Sequence, residues 1–143
     1  MKKLESHKKY EQEIKVTESD IDILGHVNNT VYLRWVQDIA IAHWNLYATN
    51  EERDTIFWVV VRHEIDYKRP TFLDDEIVLS TWVGEANRRA FERHTEIIRK
   101  KDRKILAKAV TLWSSVSSET IKSIVPSQSI YERFSTNLLS KIE

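Results

Sequence analysis

Asp20, Asp22, Gly25, His26, Asn28 and Asn29 fall within the ten-residue run Asp20-Ile21-Asp22-Ile23-Leu24-Gly25-His26-Val27-Asn28-Asn29. A carboxylate in such a run can draw a proton from water or attack a carbonyl carbon itself. The partner it needs is a set of donors for the oxygen that turns negative as a tetrahedral intermediate forms. A helix beginning at Asn28 or Asn29 would supply them. Its first turn leaves about four backbone N–H groups without intrahelical acceptors, and the peptide dipoles add partial positive charge there. Gly25 would let a carbonyl group approach the backbone closely, and His26 could orient its neighbours. Asp20 reads as a turn residue, because aspartate commonly closes an Asx-turn or caps a helix.

The helix itself is legible. From Asn28 to about Ala48, the residues Val31, Tyr32, Trp35, Val36, Ile39, Ala40, His43, Trp44 and Tyr47 recur at spacings of three and four, the mark of an amphipathic helix. Asn28 or Asn29 suits its N-cap. Upstream, residues 10–17 alternate like a half-buried strand. Downstream, a polar loop over residues 50–55 leads to four strand-like segments, residues 56–67, 76–83, 90–99 and 104–116. The first stops at Arg69-Pro70, where proline removes a ladder donor, and the second ends at Gly84. Lys100-Lys101-Asp102-Arg103 forms a basic hairpin turn that solubility explains. Pro126-Ser127 opens a weak amphipathic helix through Leu139. Consecutive strands without crossover helices predict one α+β domain over residues 1–143, an antiparallel sheet packed on a single helix.

Bulk composition narrows the chemistry. The 143 residues suit one domain. Lys plus Arg equals Asp plus Glu, 22 each, so no overall field favours nucleic acid or an anionic membrane. The chain has no cysteine, which removes disulfides, thiolate zinc sites and a cysteine nucleophile. Five histidines show no metal-binding spacing. Without a signal-peptide core at residues 1–13, or an apolar run of about 18 residues, the sequence reads as a soluble cytoplasmic protein.

The pattern Asp20-x-Asp22-x-x-Gly25-His26-Val27-Asn28-Asn29-x-x-Tyr32-x-x-Trp35 resembles the signature of the 4-hydroxybenzoyl-CoA thioesterase-like branch of the hotdog superfamily. The later Ile65-Asp66-Tyr67-x-x-Pro70, Asp75 before a strand, and Ile124-Val125-Pro126 are similar too. The likeness spans roughly residues 8 to 135. It implies a five-stranded antiparallel sheet wrapped around one long central helix, with a short C-terminal helix. It implies hydrolysis of an acyl thioester, acyl-CoA ahead of acyl-ACP with both left open, with Asp22 as the catalytic carboxylate and the backbone N–H of Asn29 as oxyanion donor. Coenzyme A would enter as part of the substrate, with no other cofactor and no metal. Two chains would join sheets to place active sites at a dimer interface, and dimers could pair into tetramers. In the similar acyl-ACP thioesterase motif, the position of His26 is functional, together with an asparagine two residues earlier. Leu24 stands at that asparagine position here, so His26 is assigned a supporting role.

Other candidates are weaker. Gly25, Val27 and Asn28 would line the substrate. His63 shares strand parity with Phe57, Val59, Val61, Ile65 and Tyr67, a face on which a core histidine competes with a substrate-facing one. Arg88 and Arg89 could grip the phosphates of coenzyme A, or simply be solvated. Trp35, Trp44, Trp58 and Trp82 read as core, some lining an acyl tunnel. The alternative function is a non-catalytic acyl-thioester binding or regulatory domain on the same fold; a hotdog dehydratase would need a histidine and an acid placed differently.

Overall fold

A computed structural model describes residues 7–137. In chain order the elements are β1 (Lys9–Lys15), α1 (Asn29–Tyr47), α2 (Asn50–Thr55), β2 (Ile56–Tyr67), β3 (Glu76–Ala86), β4 (Phe91–Arg99), β5 (Ile105–Ser117) and α3 (Gln128–Phe134), with a single 3₁₀ turn at Glu18–Asp20. The five strands form one sheet in the order β1-β3-β4-β5-β2, with every neighbouring pair antiparallel. This is the α+β arrangement the sequence predicts.

The apolar stripe of α1 lies against one face of the sheet. Val31, Tyr32, Trp35, Val36 and Ile39 are buried with Ile77 and Leu79 of β3, Ile97 of β4, and Leu106, Ala107 and Ala109 of β5. Each aliphatic side chain moved from water to such a core contributes about 1.5–3 kcal/mol. A second cluster closes the other end of the molecule. There Ile130, Tyr131 and Phe134 of α3 meet Val83, Ala86, Phe91 and Ile56, with Trp44 and Trp58 packed alongside.

Four local features differ from the sequence reading. The segment read as a polar loop over residues 50–55 is the helix α2. Thr49 Oγ1 accepts from the Glu52 N–H, and the Glu52 carboxylate accepts from the Thr49 N–H, a reciprocal cap that holds one short turn. β3 runs through Gly84 to Ala86 rather than ending there. A Cβ on Gly84 would lie 2.8 Å from His94 Nε2, so glycine is what lets the strand pass this imidazole. α3 ends at Phe134, because Ser135 and Thr136 turn to bond the carbonyls of Gly84 and Val83; Leu139 lies outside the described residues.

The fourth difference is a β-bulge. Val60 pairs with Trp113 and Arg62 with Leu112, leaving Val61 unmatched. An extra residue reverses strand parity beyond it. His63 therefore shares the helix-facing side with Trp58 and Val60, while Phe57, Val59 and Val61 are turned outward and exposed.

Candidate active site

The loop between β1 and α1 is a small closed structure. Ile21 and Val27 form an antiparallel bridge. Inside it, the Asp22 N–H donates to the His26 carbonyl (2.8 Å) and the Gly25 N–H to the Asp22 carbonyl (3.0 Å). Gly25 has φ +80, a conformation in which a side chain costs roughly 1–2 kcal/mol. A Cβ there would meet nothing within 4 Å, so backbone conformation, not space, calls for glycine.

Asp20 anchors the loop from below and is 4% exposed. Its Oδ2 accepts from the backbone and hydroxyl of Thr17, and its Oδ1 from Arg34 Nη2 at 2.9 Å. Burial alone would raise its pKa. The Thr17 N–H, the Arg34 guanidinium and the Thr17 hydroxyl outweigh burial and hold the carboxyl below its ordinary range. The Asp20 carbonyl also accepts from the Asn28 N–H. Asp20 thus has a structural role, and Thr17 and Arg34, which share it, were not singled out from sequence. The Thr17-x-x-Asp20 spacing was the available signal.

The far side of the loop is held by Thr71. Its carbonyl accepts from the Val27 N–H (2.9 Å) and its hydroxyl bonds that of Tyr32 (2.7 Å) in the core. Val27, expected against the substrate, is instead a core side chain whose N–H is already used. No sequence signal marked Thr71. His26 stands edge-on to Phe72, ring centroids 5.2 Å apart, beside the loop rather than under it.

Asp22 differs from Asp20 in what it leaves free. Its Oδ1 accepts from the Leu24 N–H at 2.9 Å and, more weakly, from the His26 N–H at 3.4 Å. Its Oδ2 has no hydrogen-bond partner among the described residues. The side chain is half-buried, so water reaches it.

Seven residues on, α1 begins. Asn28 is its N-cap: Oδ1 accepts from the N–H and hydroxyl of Thr30, and its carbonyl from the Val31 N–H. Of the first-turn donors, those of Thr30 and Val31 are therefore occupied. The Asn29 N–H has no acceptor among the described residues. A carboxylate with one unengaged oxygen and an unengaged helix-terminal donor stand on the same loop–helix junction.

The remaining candidates lie elsewhere. His63 faces α1 further along, with Nδ1 2.9 Å from Thr111 Oγ1 and Nε2 3.4 Å from Gln37; burial lowers its pKa. Arg88 and Arg89 occupy the β3–β4 turn. β3 starts beside the loop, where Val16 N–H bonds Asp75, and runs to Ala86; at 3.3 Å per residue that turn lies on the order of 30 Å away. Among the described residues, no helix is long and apolar enough to cross a membrane.

Residues 16–134 match the Thioesterase-like superfamily. Among curated proteins, the long-chain acyl-CoA thioesterase FadM of Escherichia coli (strain K12) is 24% identical over 117 residues, 78% of this chain and 86% of FadM. The 1,4-dihydroxy-2-naphthoyl-CoA thioesterase Slr0204 from Synechocystis superposes with a TM-score of 0.73 at 18% identity, covering 84% of this chain and 90% of that one. SAV2348 from Staphylococcus aureus, solved in complex with CoA, gives a TM-score of 0.79 at 12% identity, covering 87% and 80%.

Proposed function

The chain belongs to the Thioesterase-like superfamily, and from that membership we propose that it hydrolyses an acyl thioester, acyl-CoA in preference to acyl-ACP, to a carboxylic acid and a free thiol. The observation that carries the reading is the junction itself: Asp22 Oδ2 without a partner, and the Asn29 N–H without an acceptor at the start of α1. The preference for coenzyme A rests on similarity to a long-chain acyl-CoA thioesterase.

In this reading the thioester carbonyl oxygen lies on the Asn29 N–H, where the helix dipole favours negative charge. Asp22 Oδ2 takes a proton from a water molecule as its oxygen bonds to the carbonyl carbon. The tetrahedral intermediate collapses, the C–S bond breaks, and the departing sulfur takes up the proton that Asp22 drew from the water, leaving as free thiol and restoring the carboxylate. Asp22 is partly open to solvent, which supports the water route over attack by the carboxylate itself. Leu24 and His26 fix the carboxylate through their N–H groups, so His26 supports through its backbone. Nδ2 of Asn28 is the part of that side chain left for substrate, and Gly25 leaves the loop backbone uncovered. The reaction so written needs no metal and no cofactor beyond the coenzyme A of the substrate.

Asp22→Asn keeps an oxygen for the Leu24 N–H and removes the base. Across a panel of acyl-CoAs assayed for free thiol, kcat is expected to fall by about 10²- to 10⁴-fold with the melting temperature little changed. Undiminished turnover would remove Asp22 from the chemistry. Tight acyl-CoA binding by the unaltered chain without thiol release would mark a binding domain instead.

A further inference from the structure

Asp22 and the Asn29 N–H belong to different elements, a loop and a helix, and the reaction assigned to them needs both held at one separation. α1 itself reaches back toward the loop. Arg34 lies five residues beyond Asn29, roughly 7–8 Å along the helix axis, and its Nη2 donates to Asp20 Oδ1 at 2.9 Å. Asp20 stands two residues before Asp22. Its carbonyl accepts from the Asn28 N–H at 2.9 Å, one residue before the unengaged donor of Asn29.

These contacts close a ring. It runs from the Arg34 guanidinium to the Asp20 carboxylate, from the Asp20 carbonyl to the Asn28 N–H, and up the first turns of α1 back to Arg34. The loop that carries Asp22 leaves this ring at Ile21 and returns to it at Val27, the two residues that form its bridge. The orientation of Asp20 on α1 is therefore transmitted to both halves of the junction, the carboxylate and the helix-terminal donor.

The ion pair is one-sided. The Asp20 side chain is 5% exposed and that of Arg34 is 55% exposed. A pair open to water on one side adds little to folding stability. Without Arg34, Asp20 Oδ2 would keep the N–H and the hydroxyl of Thr17, at 3.0 and 3.2 Å. The far side of the loop would keep Thr71, whose carbonyl holds the Val27 N–H and whose hydroxyl bonds Tyr32. What is released is the tie between Asp20 and the helix. Misplacing a reacting group by about 1 Å can lower a rate about 100-fold, so a contact of small worth to folding has a large kinetic effect.

We propose that Arg34 is a positioning residue for thioester hydrolysis, holding Asp20 against α1 so that Asp22 and the Asn29 N–H meet the same carbonyl group. This rests on the roles assigned above to Asp22 and Asn29. Arg34 acts through Asp20 and takes no part in bond making.

The test compares the unaltered chain with Arg34→Ala, Arg34→Lys and Asp22→Asn, measuring thiol release from the acyl-CoA panel together with thermal unfolding. Arg34→Ala is expected to lower kcat by roughly 10- to 100-fold with KM and melting temperature little changed. Arg34→Lys keeps the charge but not the planar fork and should fall between Arg34→Ala and the unaltered chain. Because the Arg34 side chain is half exposed, guanidinium chloride well below denaturing concentration should restore kcat of Arg34→Ala, and sodium chloride at equal ionic strength should not. Full kcat in Arg34→Ala beside an inactive Asp22→Asn would overturn this proposal alone. So would a loss confined to KM, a loss that tracks the melting temperature, or equal restoration by sodium chloride. Undiminished release by Asp22→Asn, or no release by the unaltered chain, would remove the reading beneath it and the proposal with it. Should Arg34→Ala fail to fold, Arg34→Lys decides: lowered kcat at an unchanged melting temperature upholds the role, and unchanged kcat overturns it.

Discussion

His43 is fully buried, its imidazole stacked on Tyr10 and edge-on to Phe134. Its two nitrogens are spoken for by the His7 carbonyl and Arg93, so the folded state accepts only the neutral ring. With its pKa pushed down to about 4 from 6.5 by burial and then by Arg93, the sign of the pH effect follows. Between pH 6.5 and 4 the unfolded chain takes up a proton that the folded chain refuses, and stability is lost as pH falls. The difference in pKa corresponds to about 3 kcal/mol, present in full above pH 6.5. Glutamine offers one acceptor and one donor in place of the ring. His43→Gln is therefore expected to flatten the loss of urea-unfolding free energy between pH 7 and 4.5. A residual slope of the same sign remains from His63, whose pKa burial also lowers. An unchanged slope would show that His43 is not the group responsible.

At the scale of elements, the N-terminus of α1 joins stability to chemistry, and the two can be separated. Asn28→Asp preserves the oxygen that caps Thr30 and adds a negative charge at the positive end of the helix, which favours folding by about 0.3–1 kcal/mol. The same charge opposes an oxyanion on the adjacent Asn29 N–H. Thermal stability should hold or rise slightly while kcat falls on the order of tenfold, equivalent to about 1.4 kcal/mol in the barrier. Parallel movement of stability and kcat would detach the helix terminus from catalysis. α1 was legible because Val31, Trp35, Ile39 and their neighbours repeat with the helical period, and β2 was legible over its whole span. The bulge at Val61 was not, since an added residue changes which face a side chain takes without changing residue types. That is why His63 was grouped with Phe57 and Val59. α2 carried a signal, Thr49 and Glu52 three apart, which a polar composition obscured. Arg93 lies between Phe91 and Thr95 on inward-facing strand positions. A charge at such a position reads from sequence as a solvated one, because only the fold reveals its surroundings. Asp22 was visible as a motif residue, but its unengaged oxygen depends on where the N–H groups of Leu24 and His26 point.

At the scale of the whole molecule, the sheet ends on β2 with one side unpaired. The first six residues of that strand, Ile56-Phe57-Trp58-Val59-Val60-Val61, contain no charge and no proline. An edge of this kind is a template for pairing with another chain, and soluble proteins cover it or break it with charge. Here Phe57, Val59 and Val61 are 50%, 43% and 62% exposed, and Ile41 and Leu46 of α1 are also exposed. A second copy laid antiparallel along β2 would satisfy the free edge and reduce this apolar exposure, the arrangement that the family resemblance implies. We therefore expect the 16.9 kDa chain to sediment at about twice that mass or more, in keeping with closed pairing as the commonest symmetry. A double substitution, Val59→Lys with Val61→Lys, places like charges on the same edge of both copies. It should shift the protein toward monomer with its far-ultraviolet spectrum retained. If the Asp22 junction is completed across the pair, thioesterase activity falls with the dimer fraction and recovers as protein concentration is raised. A chain that sediments as a monomer at micromolar concentration with full activity would show that one copy suffices.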